Sequence, residues 1–164
     1  MIRYLVDSSA LWRLLRDSKL RAAWADVVTL GAVGSCQPQR AEFRRSARTV
    51  TEYEQMSAMF DDLYPEATIP KNAWRWIDSA QHRLAHYGAH RALSCVDLLI
   101  CATAAHHQLV VLHDDADFAT AGRHLPDLHQ RNVHDTPPAP TRSDDLRTRG
   151  MTDRPARFGG PVQP

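Results

Sequence analysis

An apolar helix, a buried strand and an acidic turn follow one another over residues 94–118, SCVDLLICATAAHHQLVVLHDDADF. The first half is apolar over most of a helical circumference, and Ser94 is the type of residue that caps a helix N-terminus. The run LVVLH is short and apolar without alternation, which is typical of a strand buried on both faces. Such a strand needs helices on both sides of its sheet, so this stretch favours an α/β fold.

The rest of the chain repeats the alternation of strand and helix. Residues 2–6 predict a first strand, and Ser8 or Ser9 is expected to cap the helix that follows. Because the strands lie too far apart for hairpins, we expect a three-layer fold with a central, mostly parallel sheet flanked by helices. The further predicted strands are 31–36, 109–113 and 128–133, and the further helices are 19–30, 38–48, 51–63, 70–87, 94–107 and a short one ending near Gly122.

Proline and glycine divide the chain into two parts. Residues 137–164 hold six of the ten prolines and three of the seven glycines, with few large apolar side chains. Such a segment buries too little surface to offset its ordering entropy. We therefore expect one folded domain over residues 1–135 and a disordered tail, rich in Pro, Arg and Gly, over 136–164.

Charge and cysteine content restrict the class of protein. The formal net charge is +1, so no global field indicates a nucleic-acid or membrane partner. The three cysteines, Cys36, Cys95 and Cys101, lack the spacing of a disulfide framework or a zinc site, and we interpret them as reduced, buried thiols. No signal peptide or apolar run long enough for a membrane span is present. These features predict a cytoplasmic protein without a membrane partner.

Four acids stand out by their placement. Asp7 and Asp115 follow predicted strands, Asp97 lies within the apolar helix, and Glu42 is the one acid between Asp26 and Glu52. In parallel sheets, ligands bind beyond the carboxyl ends of the strands. Acids that converge there repel one another and need a cation, and oxygen ligands alone favour a hard ion such as Mg²⁺ or Mn²⁺.

Each acid also has a structural interpretation. Asp7 can be a helix cap, and Asp97 can be the buried ion-pair partner of Arg91 or another arginine. Glu42 lies among arginines and can belong to a solvated helix face, while the acids on either side of Asp115 can be turn residues. The joint placement of the acids, rather than any one of them, indicates a site.

Three segments resemble a known family: YLVDSSALWRLL, AEFRRSA and CVDLLICATAAHHQLVVLHDDADFATA. They are similar to the PIN-domain ribonucleases, and most closely to the VapC toxins of bacterial toxin–antitoxin pairs. The resemblance runs from residue 2 to about residue 133. Cys101 replaces the first alanine of the usual AATA, and the segment around Glu42 matches more loosely than the two that contain Asp7, Asp97 and Asp115.

The resemblance implies a metal-dependent endoribonuclease. It implies that Asp7, Glu42, Asp97 and Asp115 are catalytic, and that Mg²⁺ or Mn²⁺ is held by Asp7, Asp97 and Asp115, with Asp117 as an outer or second-ion ligand. The expected substrate is single-stranded or looped RNA, cleaved to leave a 5′-phosphate. A cognate antitoxin and a homodimer are the expected protein partners.

Arginines near these acids are expected to hold the RNA backbone. The candidates are Arg13, Arg44 and Arg45, whose phosphate contacts would carry no sequence preference. Two other functions remain open: a catalytically inactive PIN-like module that binds RNA, and a structure-specific DNA nuclease. Metal binding and chelation separate the enzyme from the binding module.

Overall fold

The computed structural model describes residues 1–135 and Pro137, so the predicted tail lies almost wholly outside the described residues. Strands and helices alternate along this part of the chain, as predicted. The strands are β1 (Tyr4–Val6), β2 (Val33–Gly34), β3 (Val110–His113) and β4 (His129–Asn132), and the helices are α1 (Ser8–Arg16), α2 (Ser18–Thr29), α3 (Gln37–Arg44), α4 (Val50–Leu63), α5 (Ala73–Ala85), α6 (Cys95–His107) and α7 (Ala116–His124).

The four strands form one parallel sheet in the order β2-β1-β3-β4. Val6 is aligned with Leu112, and the N–H of Asp7 continues the ladder with a 2.9 Å hydrogen bond to the carbonyl of Leu112. The chain therefore leaves β1 and β3 at the same edge of the sheet, which we call the C-terminal edge.

Alternate residues along the strands pack in two separate hydrophobic cores. Leu5 and Val111 belong to the core made with α5, α6 and α7, whereas Val6 and Leu112 belong to the core made with α1, α2 and α4. Burial on both faces explains why the strands are apolar without alternation. The predicted three-layer α/β fold is confirmed.

Polar residues mark the two margins of the sheet. The outermost described strand on one side, β4, consists of His129, Gln130, Arg131 and Asn132. On the other side, Ser35 forms an isolated parallel bridge with Glu66, which covers the end of β2. The apolar strands β1 and β3 thus lie inside the sheet.

Helix α6 has the predicted bounds and cap. The hydroxyl of Ser94 accepts the N–H of Asp97, and the carboxylate of Asp97 accepts the N–H of Ser94, so the two residues form a capping box. The helix ends at Gln108, whose φ of 55° is left-handed. Within the described part of the chain, no helix has the length and apolarity needed to cross a bilayer.

Several predicted bounds are too wide. β2 is two residues long rather than the six of 31–36, and α5 begins at Ala73 because residues 70–73 form a turn closed by the N–H of Ala73 on the carbonyl of Pro70. α3 starts with Pro38 in its first turn, as predicted, but ends at Arg44 instead of residue 48. Bonds from each of residues 45–47 to the residue three positions earlier tighten the chain there and end the helix.

The cysteines differ in exposure. All three are free, but only Cys36 and Cys101 are buried, while Cys95 is exposed. The prediction that all three are buried is wrong for Cys95, because α6 begins at this residue and its first turn faces solvent.

Candidate active site at the C-terminal edge of the sheet

Asp7 leaves β1 and enters α1 with its side chain 4% exposed. It is the N-cap of α1: its Oδ2 accepts a 2.9 Å bond from the N–H of Ser9 and a 2.5 Å bond from the Ser9 hydroxyl. The expectation that Ser8 or Ser9 is the cap is wrong, because the helix begins at Ser8 itself. Asp7 is thus a cap, the structural alternative raised above, but capping uses one carboxylate oxygen.

The charge of Asp7 is poorly compensated. Burial raises the pKa of its carboxyl, the hydrogen bonds from Ser9 lower it, and the negative charge of Asp97 raises it further. Among residues 1–135, no lysine, arginine or histidine forms an ion pair with Asp7. A buried carboxylate of this kind favours a nearby cation, and residues 1–135 supply none in an ion pair with it.

Asp97 lies in the first turn of α6 and is half-buried, with Oδ2 2.7 Å from the N–H of Ser94. The sequence suggested a carboxylate surrounded by apolar groups, which is wrong because the helix starts only two residues earlier. In the described chain Asp97 forms no ion pair with Arg91 or another cation. Its negative charge contributes to the raised pKa of Asp7, so the two acids lie within electrostatic range of each other.

Glu42 is joined to the start of α1. The hydroxyl of Ser8 donates a 3.0 Å bond to Oε2 of Glu42, and the Glu42 side chain is half-buried. Glu42 is therefore not on a freely solvated face. Since Ser8 follows Asp7, this bond places Glu42 on the same side of the fold as Asp7.

Asp115 ends the turn after β3, and Asp117 lies in the first turn of α7. Asp115 is exposed and caps α7, accepting the N–H of Asp117 at 2.9 Å. Its own N–H donates a 3.1 Å bond to Nδ1 of His113, a buried ring whose Nε2 lies 2.6 Å from Oε1 of Gln130. These bonds require the neutral tautomer with its proton on Nε2, and they fix the turn that carries Asp115.

Asp114 points elsewhere. Its carboxylate pairs with Arg13 and lies 3.2 Å from Nε2 of His134, while its N–H donates a 2.9 Å bond to the hydroxyl of Ser9. The Ser9 hydroxyl thus links the turn after β3 to Asp7. Asp114 is neutralised by the chain, in contrast to Asp7.

The structure places these acids at one edge of the sheet, but their side chains do not converge on a common metal position. Within residues 1–135, no three His, Cys, Asp or Glu side chains are placed to hold a metal ion as they stand. Asp7 and Asp97 nevertheless lie within electrostatic range of each other, and neither forms an ion pair with a cation among residues 1–135. Mg²⁺ is usually held by one or two carboxylates and several waters, so this pair suits a hard divalent ion.

Three supporting residues were not identified by the sequence reasoning. Ser8 and Ser9 were considered only as caps, yet they bond Glu42 and Asp114, residues 34 and 105 positions away. His113 holds the Asp115 turn and was given no such role. The available signal was the DSS triplet, in which two serines directly follow the acid at the end of a strand.

The three arginines predicted to contact RNA lie in different environments. Arg13 pairs with Asp114, and Arg44 donates to the hydroxyl of Ser57 at 3.3 Å. Arg45 is exposed and forms no side-chain ion pair with a described residue.

The acids at the carboxyl ends of parallel strands, between two helical layers, are the arrangement of a PIN domain, and residues 4–123 match that family. The chain belongs to the PIN domain family, as the sequence segments indicated. It is similar to Ribonuclease VapC6 of Mycobacterium tuberculosis (strain ATCC 25618 / H37Rv), with 68% identity over 118 residues that cover 72% of this chain and 88% of the relative. Ribonuclease VapC21 of the same strain is 30% identical over 116 residues, 71% of this chain and 83% of the relative.

Solved structures share the fold at low sequence identity. DNA-bound VapBC from Salmonella typhimurium is similar with a TM-score of 0.62 and 14% identity, covering 81% of this chain and 99% of that one. VapBC-5 from Mycobacterium tuberculosis, a member of the VapBC family of toxin-antitoxin systems, gives a TM-score of 0.56 and 21% identity over 80% and 99% of the two chains.

Proposed function

We propose that this chain is a metal-dependent endoribonuclease that hydrolyses RNA phosphodiester bonds and acts as the toxin of a type II toxin–antitoxin system. Its membership of the PIN domain family supports a nuclease. The 68% identity to a relative named a ribonuclease extends over 88% of that relative, which supports RNA as the substrate.

The observation that carries the proposal is the buried carboxylate of Asp7 beside Asp97. Two neighbouring acids without a cationic partner destabilise a fold, and one of them is 4% exposed. A module that only binds RNA gains nothing from this arrangement, because phosphates are repelled by carboxylates. A nuclease needs it, because a divalent ion at these acids binds the phosphate.

The proposed metal is Mg²⁺ or Mn²⁺, with Asp7 and Asp97 as its first ligands and Asp115 and Asp117 completing the set. When bound, such an ion lowers the pKa of a coordinated water and offsets charge on the phosphoryl group. Both bonds from Ser9 fall on Oδ2 of Asp7, and Oδ1 is the proposed ligand of the ion.

The other acids have distinct tasks in this proposal. Ser8 holds Oε2 of Glu42, which leaves Oε1 to face the substrate or a water. The exposed carboxylate of Asp115 and the second oxygen of Asp97 are the two candidates for orienting the attacking water. The bond from Asp115 to His113 keeps the first of these in place.

We also propose a cognate antitoxin, self-association as a homodimer and a cytoplasmic location. The solved neighbours include toxin–antitoxin pairs, which supports the first of these. A ribonuclease of this kind would damage its own cell unless a partner protein restrained it.

The test is RNA cleavage by Asp97→Asn. The amide oxygen can still accept the N–H of Ser94, so the fold should persist while activity falls on the order of 100-fold or more, beyond the loss typical of residues that only support a metal ligand. Asp26→Asn, at an exposed acid on α2, is the matched control. A chelator should silence the wild-type chain.

Circular dichroism checks that each variant is folded. Asp97→Asn cleaving RNA at the original rate would contradict the proposal. Wild-type chain that binds RNA but never cleaves it would indicate the inactive module, and cleavage confined to branched DNA would indicate the structure-specific nuclease.

A further inference from the structure

A basic concavity of about 380 Å³ lies between the end of α3 and the start of α4. It exists because α3 ends at Arg44 and the chain turns before α4 begins at Val50. We call it the arginine pocket; it is lined by Arg44, Arg45, Ala47, Arg48, Thr49, Val50 and Tyr53.

One wall of the arginine pocket is fixed. The guanidinium of Arg44 lies over the ring of Tyr53, 5.2 Å from its centroid, and donates to the hydroxyl of Ser57 at 3.3 Å and the carbonyl of Arg40 at 3.2 Å. Tyr53 is itself 46% exposed. The pocket therefore presents an ordered cation and an aromatic ring side by side.

The other two arginines are not neutralised. Arg45 and Arg48 are exposed, and neither guanidinium pairs with a carboxylate among residues 1–135. Glu52, in the first turn of α4, is engaged instead with the backbone N–H of Arg48 at 2.7 Å. The pocket thus has room and positive charge for an external anion.

Arg40, one turn before Arg44 on α3, is an arginine of the same helix whose side chain is fully engaged within the fold. It is buried and donates to the hydroxyl of Ser35 at 2.8 Å, the carbonyl of Tyr64 at 2.8 Å and the carboxylate of Asp61 at 3.1 Å. Arg40 supports the fold, whereas Arg45 and Arg48 have no such structural task.

The arginine pocket adjoins Glu42. The N–H of Arg45 bonds to the carbonyl of Glu42 at 3.1 Å, so the pocket begins where the turn that carries Glu42 ends. Three residues of helix advance about 4.5 Å, less than the length of one nucleotide of an extended strand. A strand that contacts Glu42 therefore reaches the pocket within about one nucleotide.

We propose that the arginine pocket is a nucleotide subsite for single-stranded RNA, in which Arg45 and Arg48 bind a backbone phosphate and Tyr53 stacks on a base. This inference rests on the proposed function and specifies how the substrate strand runs from the cleavage site. An acidic peptide would also neutralise the arginines, but it has no flat group for the exposed ring of Tyr53. Stacking on an aromatic ring beside cations is the usual mode of single-strand binding.

The first test measures binding to the full-length chain in a chelator, which prevents cleavage. The probe is a fluorescein-labelled polyuridylate of about 12 nucleotides, within the site sizes of single-strand binders. Over about 50 to 200 mM salt, Arg45→Gln/Arg48→Gln should lower affinity and reduce the slope of log affinity against log salt by about 0.7, the contribution of the one single-strand phosphate that the two arginines neutralise. The charge-matched control is Arg75→Gln/Arg83→Gln on the exposed surface of α5, which should leave the slope unchanged.

The second test concerns stacking. Tyr53→Ala should weaken binding of the same probe by roughly 5- to 100-fold, the range for loss of one stacked base. Tyr53→Phe should bind like wild type, because it retains the ring. An equal loss in both variants would overturn the stacking role.

Other results separate the inference from the proposed function. If Arg45→Gln/Arg48→Gln keeps the wild-type salt slope while the wild-type chain still cleaves RNA, the nucleotide subsite is overturned and the proposed nuclease function stands. Absence of both RNA binding and cleavage in wild type would overturn both. A polyglutamate peptide that binds as tightly as the RNA, with the same dependence on Arg45, Arg48 and Tyr53, would replace the nucleotide subsite by a peptide site.

Discussion

The hydroxyl of Ser9 donates a 2.5 Å hydrogen bond to the carboxylate of Asp7 while it accepts a 2.9 Å bond from the N–H of Asp114. One oxygen atom thus ties the residue after β1 to the first residue after β3. The two strands are neighbours in the sheet, so this contact sets the position of one carboxylate relative to the turn that carries Asp115.

Ser9→Ala is expected to lower the free energy of unfolding by about 2–3 kcal/mol, because a charged acceptor loses a donor and the N–H of Asp114 loses its acceptor. It should also weaken Mn²⁺ binding by about 10- to 100-fold, the usual effect of losing a group that orients a metal ligand. Urea denaturation and Mn²⁺ titration measure the two effects. Ser9→Thr keeps the hydroxyl and should stay near wild type in both; unchanged Mn²⁺ affinity in Ser9→Ala would contradict the orienting role.

Asp7→Asn is expected to stabilise the metal-free chain at neutral pH by about 0.5–2 kcal/mol, since a functional acid is replaced by a neutral residue that caps helices equally well. The pKa of Asp7 is raised in the fold, so the wild-type chain loses stability as pH rises through that pKa. The gain from asparagine should therefore be absent below the unfolded pKa and full above the folded one. Thermal unfolding in a chelator across this pH range measures it.

Saturating Mn²⁺ should make the wild-type chain more stable than Asp7→Asn, the reverse of the order in a chelator. The ion stabilises wild type by mass action and has less to bind in Asp7→Asn. A destabilised Asp7→Asn chain in chelator at neutral pH would show that the buried charge is compensated within the fold.

Gln130 and His113 should be energetically coupled. Replacing His113 by Phe leaves Oε1 of Gln130 and the N–H of Asp115 without their partner, and we expect a loss of about 2–3 kcal/mol. Gln130→Leu alone should lower the free energy of unfolding by less. The loss in the double variant should be smaller than the sum of the two single losses by about 0.5–3 kcal/mol. A double-mutant cycle by urea denaturation tests this, and strict additivity would contradict the coupling.

The thiols should react at very different rates. Cys95 is exposed, whereas burial raises the pKa of the Cys36 thiol to about 11 and that of Cys101 well above its ordinary value. A thiolate-specific reagent should therefore label one cysteine quickly in the native chain and all three after unfolding. Cys95→Ser should remove the fast phase; its persistence would mean that a buried cysteine is accessible.

The fold was predictable where local pattern and tertiary context agree. The apolar runs at β1 and β3 and the N-cap of α6 follow from residue type alone, and parallel pairing follows from the spacing of the strands along the chain. The end of α3 at Arg44 was not predictable, because residues 45–47 are chemically acceptable in a helix and the tightened bonds that stop it depend on where α4 must start.

The sequence identified which acids lie at the candidate site, but not their burial, capping roles or hydrogen-bond partners. Asp7 was named for its position, but which of Asp7, Ser8 and Ser9 caps the helix depends on a one-residue shift in where α1 begins. Asp97 was named for apolar neighbours in sequence, and the start of α6 two residues earlier leaves it only half-buried. Contacts such as Ser8 with Glu42 join distant segments, which no local pattern encodes.

Polar β4 and the Ser35–Glu66 bridge have a consequence for how copies of this chain meet. A hydrophobic outer strand would recruit further strands and risk fibrous growth, and charged or polar outer strands suppress this. Lateral extension of the sheet is therefore disfavoured on both sides, and crowding many copies together should lead to contact through helices instead.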